Sequence, residues 1–192
     1  MESLWMSTGV VALAEMGDKT QLLAFILAAR FKKPLPIILG ILIATLINHG
    51  LAGALGAWIT AQVSAEVLRW VLGLSFIGMA VWTMIPDKIE EEETKIANRW
   101  GVFGATFITF FLAEMGDKTQ IATIAMAAHY AASLSVVVGT TLGMMIANVP
   151  AVFLGEKLAH KIPMKLVHSI AAAIFAILGV ATLLGAGASW GF

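Results

Sequence analysis

One nonapeptide, Leu-Ala-Glu-Met-Gly-Asp-Lys-Thr-Gln, occurs twice in this 192-residue chain, at Leu13–Gln21 and at Leu112–Gln120, 99 residues apart. Both copies lie inside apolar stretches of about 20 residues or more, long enough to cross a ~30 Å hydrocarbon core as helices. Four carboxylates, Glu15, Asp18, Glu114 and Asp117, therefore fall where hydrocarbon excludes charge. An ionisable residue in such a place marks a functional site by default. Duplicated hydrophobic halves with matching interruptions point to a transporter's binding site at the junction of two repeats.

The chain is 59% hydrophobic and 12% charged, with a mean hydropathy of +0.90, which is not the profile of a water-soluble domain. Alternating ten-residue strands are absent, which argues against a membrane β-barrel. With no cysteine there are no disulfides and no thiolate metal ligands. A net charge of zero without a basic run gives no sign of nucleic acid, and no phosphate-binding loop is present to make ATP the driving force. Met1-Glu2-Ser3 lacks Lys and Arg, and the first positive charges outside the nonapeptide follow the apolar stretch at Arg30, so the N-terminus reads as a retained first helix.

Six spans are expected, at about 4–29, 35–60, 66–86, 101–128, 133–158 and 164–187. Pro34 and Pro36 start the second, Pro86 closes the third and Pro163 precedes the sixth. The acidic segment 87–100, with Glu90–Glu93, divides a first three-helix repeat (1–86) from a second (101–192). At the 99-residue offset Gly40 meets Gly139, Ala52 meets Ala151, Leu55-Gly56 meets Leu154-Gly155, His49 meets Asn148 and Phe76 meets Phe175. Three spans per half is an odd number, so the second half enters the membrane from the opposite side and the repeats are inverted. The loops on one side hold nine Lys and Arg against Arg69 alone on the other, which places both termini outside the cytoplasm. The expected fold is thus an all-α membrane protein of six transmembrane helices, N-out and C-out, with the acidic segment cytoplasmic. Trp5, Trp58, Trp70 and Trp190 near the outer ends and Trp82 and Trp100 near the inner ends fit interfacial anchors.

Each nonapeptide falls near the middle of its span. On a continuous helix Glu and Asp at i, i+3 share a face, and inverted symmetry turns the two faces toward each other. Lys19 and Lys118 stand i, i+4 from Glu15 and Glu114 in the favourable order, or else snorkel away. Four negative and two positive side chains leave about −2, which one divalent cation or two protons would cancel. Thr20, Thr119, Gln21, Gln120 and any carbonyls exposed by an opening at Gly17 and Gly116 complete an oxygen-rich donor set suited to Mn²⁺ or Ca²⁺. Asn48 and Asn148, in the second and fifth spans, are candidate pathway residues, with His49 a weaker one. Met16 and Met115 read as apolar filler. The pair Gly139 and Gly143, with Gly50, Gly53 and Gly56, reads as close helix contact. Pro150 frees a carbonyl near Ile146. His129, His160 and His168 lie near span ends and receive no role.

The doubled Glu-x-Gly-Asp-Lys-Thr motif on helices one and four, with an acidic central loop, resembles the Gdt-type family of cation/proton exchangers, and the short form resembles its bacterial manganese exporters. The resemblance covers essentially the whole chain, and no motif position departs from the family pattern. It implies a multi-pass protein of the bacterial inner membrane that exports Mn²⁺, with Ca²⁺ carried by related members, against inward protons. It implies that Glu15, Asp18, Glu114 and Asp117 carry metal and proton, assisted by Thr20 and Thr119. The partners are then a divalent ion and the bilayer, with a homodimer left open, and there is no cofactor and no enzymatic activity. Other readings are an exporter of small organic solutes, which four converging carboxylates disfavour, and a passive cation channel. An intramembrane aspartyl protease fails because Glu15 and Glu114 stand where that pattern needs glycine. A purely structural role for the carboxylates would place two ion pairs at mid-membrane only to pack helices, a costly arrangement.

Overall fold

The computed structural model describes residues 1–85, 101–154 and 164–185, and within them it is all-helical. Eight helices follow in order: α1 (Glu2–Glu15), α2 (Lys19–Phe31), α3 (Pro34–Gln62), α4 (Ala65–Thr83), α5 (Gly101–Glu114), α6 (Lys118–Tyr130), α7 (Ser133–Leu154) and α8 (Met164–Leu183). Three, α3, α4 and α7, are long and apolar enough to cross a membrane, and α5 and most of α8 are shorter apolar helices. This is consistent with a membrane protein. The segment 87–100, Pro86, Pro163, His160, Trp100, Trp190 and the predicted ends of spans five and six lie outside the described residues.

The sequence-derived spans correspond to helices within a few residues, with one difference of kind. Spans one and four are each two half-helices, broken inside the nonapeptide. Gly17 and Gly116 take φ of 81° and 76°, a left-handed conformation open to glycine and strained for other residues. The next residues, Asp18 and Asp117, are extended and start α2 and α6. The repeat extends to the far ends of those half-helices, where Lys32 (φ 52°) and Ala131 (φ 46°), again 99 positions apart, form left-handed caps.

The central helices α3 and α7 pack on each other and on the broken helices at backbone distance. A Cβ added at Gly143 of α7 would lie 2.7 Å from the Thr8 carbonyl oxygen and 2.9 Å from the Ala12 nitrogen, so glycine is what admits α1 there. Gly56 of α3 meets α6 in the same way, its added Cβ falling 2.5 Å from the Ile124 oxygen. Gly53 and Gly139 are also close contacts, but Gly50 faces open space, so the expected contact role does not hold for it.

Two apolar clusters fill the interior, and they differ in membership. One joins α1 and α6 to α7, α4 and α8, with Phe76 and its repeat mate Phe175 stacked at 6.4 Å. The other joins α2 and α5 to α3 and α7 and contains no residue of α4 or α8. The α4–α8 pair therefore leans toward the end of the molecule where α1 begins and α6 finishes.

Gly143→Ala is expected to lower stability by about 1–3 kcal/mol, because the atoms it meets are backbone and cannot rotate aside. Gly50→Ala, in open space, should be neutral or stabilising by up to about 1 kcal/mol. Thermal unfolding of the two variants in detergent checks the contrast.

Candidate metal and proton site

The helix breaks decide where the charged side chains go. Asp18 is the N-cap of α2, its Oδ1 accepting from the Lys19 backbone N–H at 2.8 Å. Gln21 reaches back, its Oε1 accepting from the Gly17 N–H at 2.9 Å, and Gln120 does the same for Gly116 at 2.7 Å. This is the reciprocal logic of a capping box, set one residue further out. Across each break the threonine hydroxyl donates to the preceding glutamate: Thr20 to Glu15 Oε2 at 2.5 Å, and Thr119 to Glu114 Oε2 at 2.9 Å. Both glutamates are fully buried, and among the described residues the Oε1 of each has no hydrogen-bond partner.

The two breaks meet. One carboxylate oxygen each from Glu15, Glu114 and Asp117 lies within 4.8 Å of the others, and all three residues are buried. Three carboxylates this close repel strongly unless protons or a cation sit among them. The N-terminal ends of α2 and α6, positive by their peptide dipoles, also face the breaks and favour negative charge there. All the donors are oxygen, the set preferred by Ca²⁺, Mg²⁺ and Mn²⁺ over softer metals.

The lysines form salt bridges that spacing alone does not suggest. On an unbroken helix each would reach its own glutamate; the break turns each toward the opposite repeat. Lys19 Nζ lies 3.7 Å from Asp117 Oδ1, and Lys118 Nζ lies 3.1 Å from Asp18 Oδ2. The two crossed pairs are unequal: Lys118 and Asp18 are both buried, whereas Lys19 is 18% exposed. Asp18 is thus held by a buried lysine, while Asp117 joins the two glutamates.

Around this centre the other predicted residues take different places. Gln120 Nε2 donates to Asn48 Oδ1, and Gln21 Nε2 donates to the Ala147 carbonyl at 2.9 Å. Positions 48 and 147 are repeat equivalents, so each glutamine contacts the same point of the opposing central helix, once through a side chain and once through backbone. Pro150 lies three residues beyond Ala147 inside α7, where it removes a helical donor. Asn148 is one position off the contact; its Nδ2 donates to Met144 O at 3.0 Å, and its buried Oδ1 has no hydrogen-bond partner. His49 is buried between α3 and α7 with Nδ1 2.9 Å from Thr140 Oγ1. Sequence reasoning missed His168, whose Nε2 lies 2.7 Å from the Met16 carbonyl oxygen at the first break. Its only sequence signal was polarity near a span end.

Because Lys118 is fully buried against Asp18, Lys118→Met should leave an uncompensated carboxylate and cost about 3–5 kcal/mol. Lys19→Met, at a longer and partly exposed pair, should cost clearly less. Melting temperatures of the two variants in detergent test the order.

The same family profile, that of the divalent cation/proton antiporter GDT1, matches the chain twice, over residues 3–91 and 102–190. A Vibrio cholerae protein named "Putative manganese exporter" is 52% identical over 183 residues, covering 95% of this chain and 90% of the relative. "GDT1-like protein 3" of Oryza sativa subsp. indica is 32% identical over 200 residues, covering 91% and 71%. A GDT1-like protein of Synechocystis is 32% identical over 192 residues, covering 89% and 91%. No solved structure matches the chain. A transporter family, not an enzyme, is thus the context of the paired carboxylates, and the chain belongs to the GDT1 family of divalent cation/proton antiporters.

Proposed function

We propose that this protein exports Mn²⁺, with Ca²⁺ as a second cargo, across the bacterial inner membrane in exchange for protons. The observation that carries the reading is the convergence of Glu15, Glu114 and Asp117, from both repeats, on one buried volume at two helix breaks. With Asp18 and the two lysines the centre has a formal charge of −2 when all groups are ionised. One divalent cation or two protons neutralise it, which makes the two occupancies alternatives and gives an exchange of two protons per metal ion. Glu15, Asp18, Glu114 and Asp117 act as metal and proton carriers. Thr20 and Thr119 orient the glutamates, and Gln21 and Gln120 hold the breaks open against the central helices beside Asn48 and Asn148. The 52% identical relative, named as a manganese exporter, supports Mn²⁺ as the cargo.

In this reading each broken pair, α1–α2 and α5–α6, is a single discontinuous span. The stretches Glu2–Phe31 and Gly101–Tyr130 each measure about 45 Å at ~1.5 Å per residue, more than a bilayer core requires. Six spans in two inverted halves, 1–86 and 101–192 with a cytoplasmic linker at 87–100, then put the breaks near the midplane, where such transporters bind their cargo. Reciprocal contacts between equivalent residues support a two-fold relation: Lys19 with Asp117 against Lys118 with Asp18, and Phe76 with Phe175.

Proteoliposomes loaded with a Mn²⁺-sensitive dye provide the test. Wild-type protein should take up Mn²⁺ at a rate set by the pH gradient, and Asp117→Asn should lower that rate by at least about 10- to 100-fold, the loss that even an outer-shell partner of a metal causes. Mn²⁺ flux indifferent to the pH gradient would contradict proton exchange, and undiminished flux in Asp117→Asn would contradict the assigned site.

A further inference from the structure

The two repeats match closely in the broken helices but not in what the α4–α8 pair does to them. α8 packs against α1, and α4 against α6, whereas the repeat-equivalent contacts, α4 with α5 and α8 with α2, are marginal at most. One polar contact accompanies this lean. His168, in the second turn of α8, places Nε2 2.7 Å from the Met16 carbonyl oxygen. A carbonyl only accepts, so Nε2 carries the hydrogen. Met16 has extended backbone (ψ 117°) where α1 stops, which leaves its carbonyl outside the helical ladder and in need of a donor.

The second break is treated differently. The repeat equivalent of His168 is Arg69, a different residue type at a matching position. Arg69 lies with its guanidinium carbon 5.8 Å from the Trp70 ring and lines a cleft with His129 and Thr182, away from the second break. Met115 there is 57% exposed, while Met16 is partly covered. Among the described residues a hydrogen bond from the α4–α8 pair reaches the Met carbonyl at the first break and none is seen to reach that at the second, in step with the one-sided packing.

We propose that His168 is a positioning residue that latches the α4–α8 pair onto the first helix break, and that its release from the Met16 carbonyl lets the pair rock toward α2 and α5. The inference rests on the exchange proposed above, which requires the carboxylate centre to open to each side of the membrane in turn. In the latched state Phe76, Phe175 and Leu72 seal the side on which α1 begins, and the apolar cluster on the opposite side contains no residue of α4 or α8. The moving body is then the α4–α8 pair, taken one helix from each half, against a scaffold of broken and central helices held by glycine contacts. It is not one half of the chain against the other.

The absence of cysteine makes the test direct. Leu72, 6% exposed in the sealed cluster, is changed to Cys as a reporter, and its reaction with a membrane-impermeant maleimide is followed from the side on which α1 begins. His168→Leu removes the donor; His168→Gln keeps an N–H that reaches the carbonyl. Labelling should rise about fivefold in His168→Leu, the population shift expected from one lost hydrogen bond, and stay near the parent rate in His168→Gln. Unchanged labelling in both variants, or an equal rise in both, would overturn the latch: the first shows no effect of the bond, the second a general loosening. The labelling needs neither metal nor transport, so it reads the latch even if the cargo is another cation, and a wild-type protein without Mn²⁺ flux would count against the proposed cargo alone.

Discussion

Negative charge held out of water is the constraint on which the rest of this structure depends. An isolated buried carboxylate is strongly penalised, and three within 4.8 Å add mutual repulsion. Most of the local architecture answers that problem. Each helix stops so that a dipole points at the charges, a threonine hydroxyl satisfies one oxygen of each glutamate, and each aspartate meets a lysine from the other repeat. Among the described residues the two glutamate Oε1 atoms still find no hydrogen-bond partner. Leaving an acceptor unsatisfied in the core costs about 1–3 kcal/mol, so two such atoms facing one volume are more naturally read as ligands than as a packing device.

The breaks also explain why the two halves belong together. A half-helix of 14 residues exposes terminal amides that need partners; the glutamine of the same nonapeptide bonds one of them, and the central helix of the opposite repeat bonds that glutamine. Gln21 reaches α7 and Gln120 reaches α3, while the lysines cross between the two nonapeptides. Each half caps its own break and then leans on the other half through its glutamine and its lysine. The pairing is nearly symmetric at the centre and asymmetric at α4 and α8, the pattern expected of a two-fold arrangement caught to one side of its axis.

The order of helices was legible because its signals are local. Pro34 opens α3 at its first position, and hydropathy together with Pro86 and Pro163 marked out the spans of α4 and α8. The repeat led to the expectation that all four carboxylates meet, since identical motifs near the middle of apolar stretches face each other if the halves pack together; three of them converge, and Asp18 is held by Lys118 instead. The pairing inside the cluster was not legible. Counting i, i+4 assumes an unbroken helix, and one glycine at positive φ redirects Lys19 and Lys118 across the interface. Gly17 signalled an opening, but the number of residues that leave the helix depends on Asp18 acting as a cap, which spacing does not reveal. His168 was invisible for a similar reason: its partner is a carbonyl 152 positions away in sequence, and every residue has a carbonyl.

If one buried carboxylate centre holds either a divalent cation or protons, metal binding must release protons. Calorimetric titration of the purified protein with Mn²⁺, repeated in buffers of different ionisation enthalpy, counts the protons released per ion bound. The account predicts about two protons per Mn²⁺, the number needed to offset the charge of one divalent ion, with binding lost in Glu114→Gln. Mn²⁺ binding without proton release, or tight binding that survives the loss of Glu114, would contradict it.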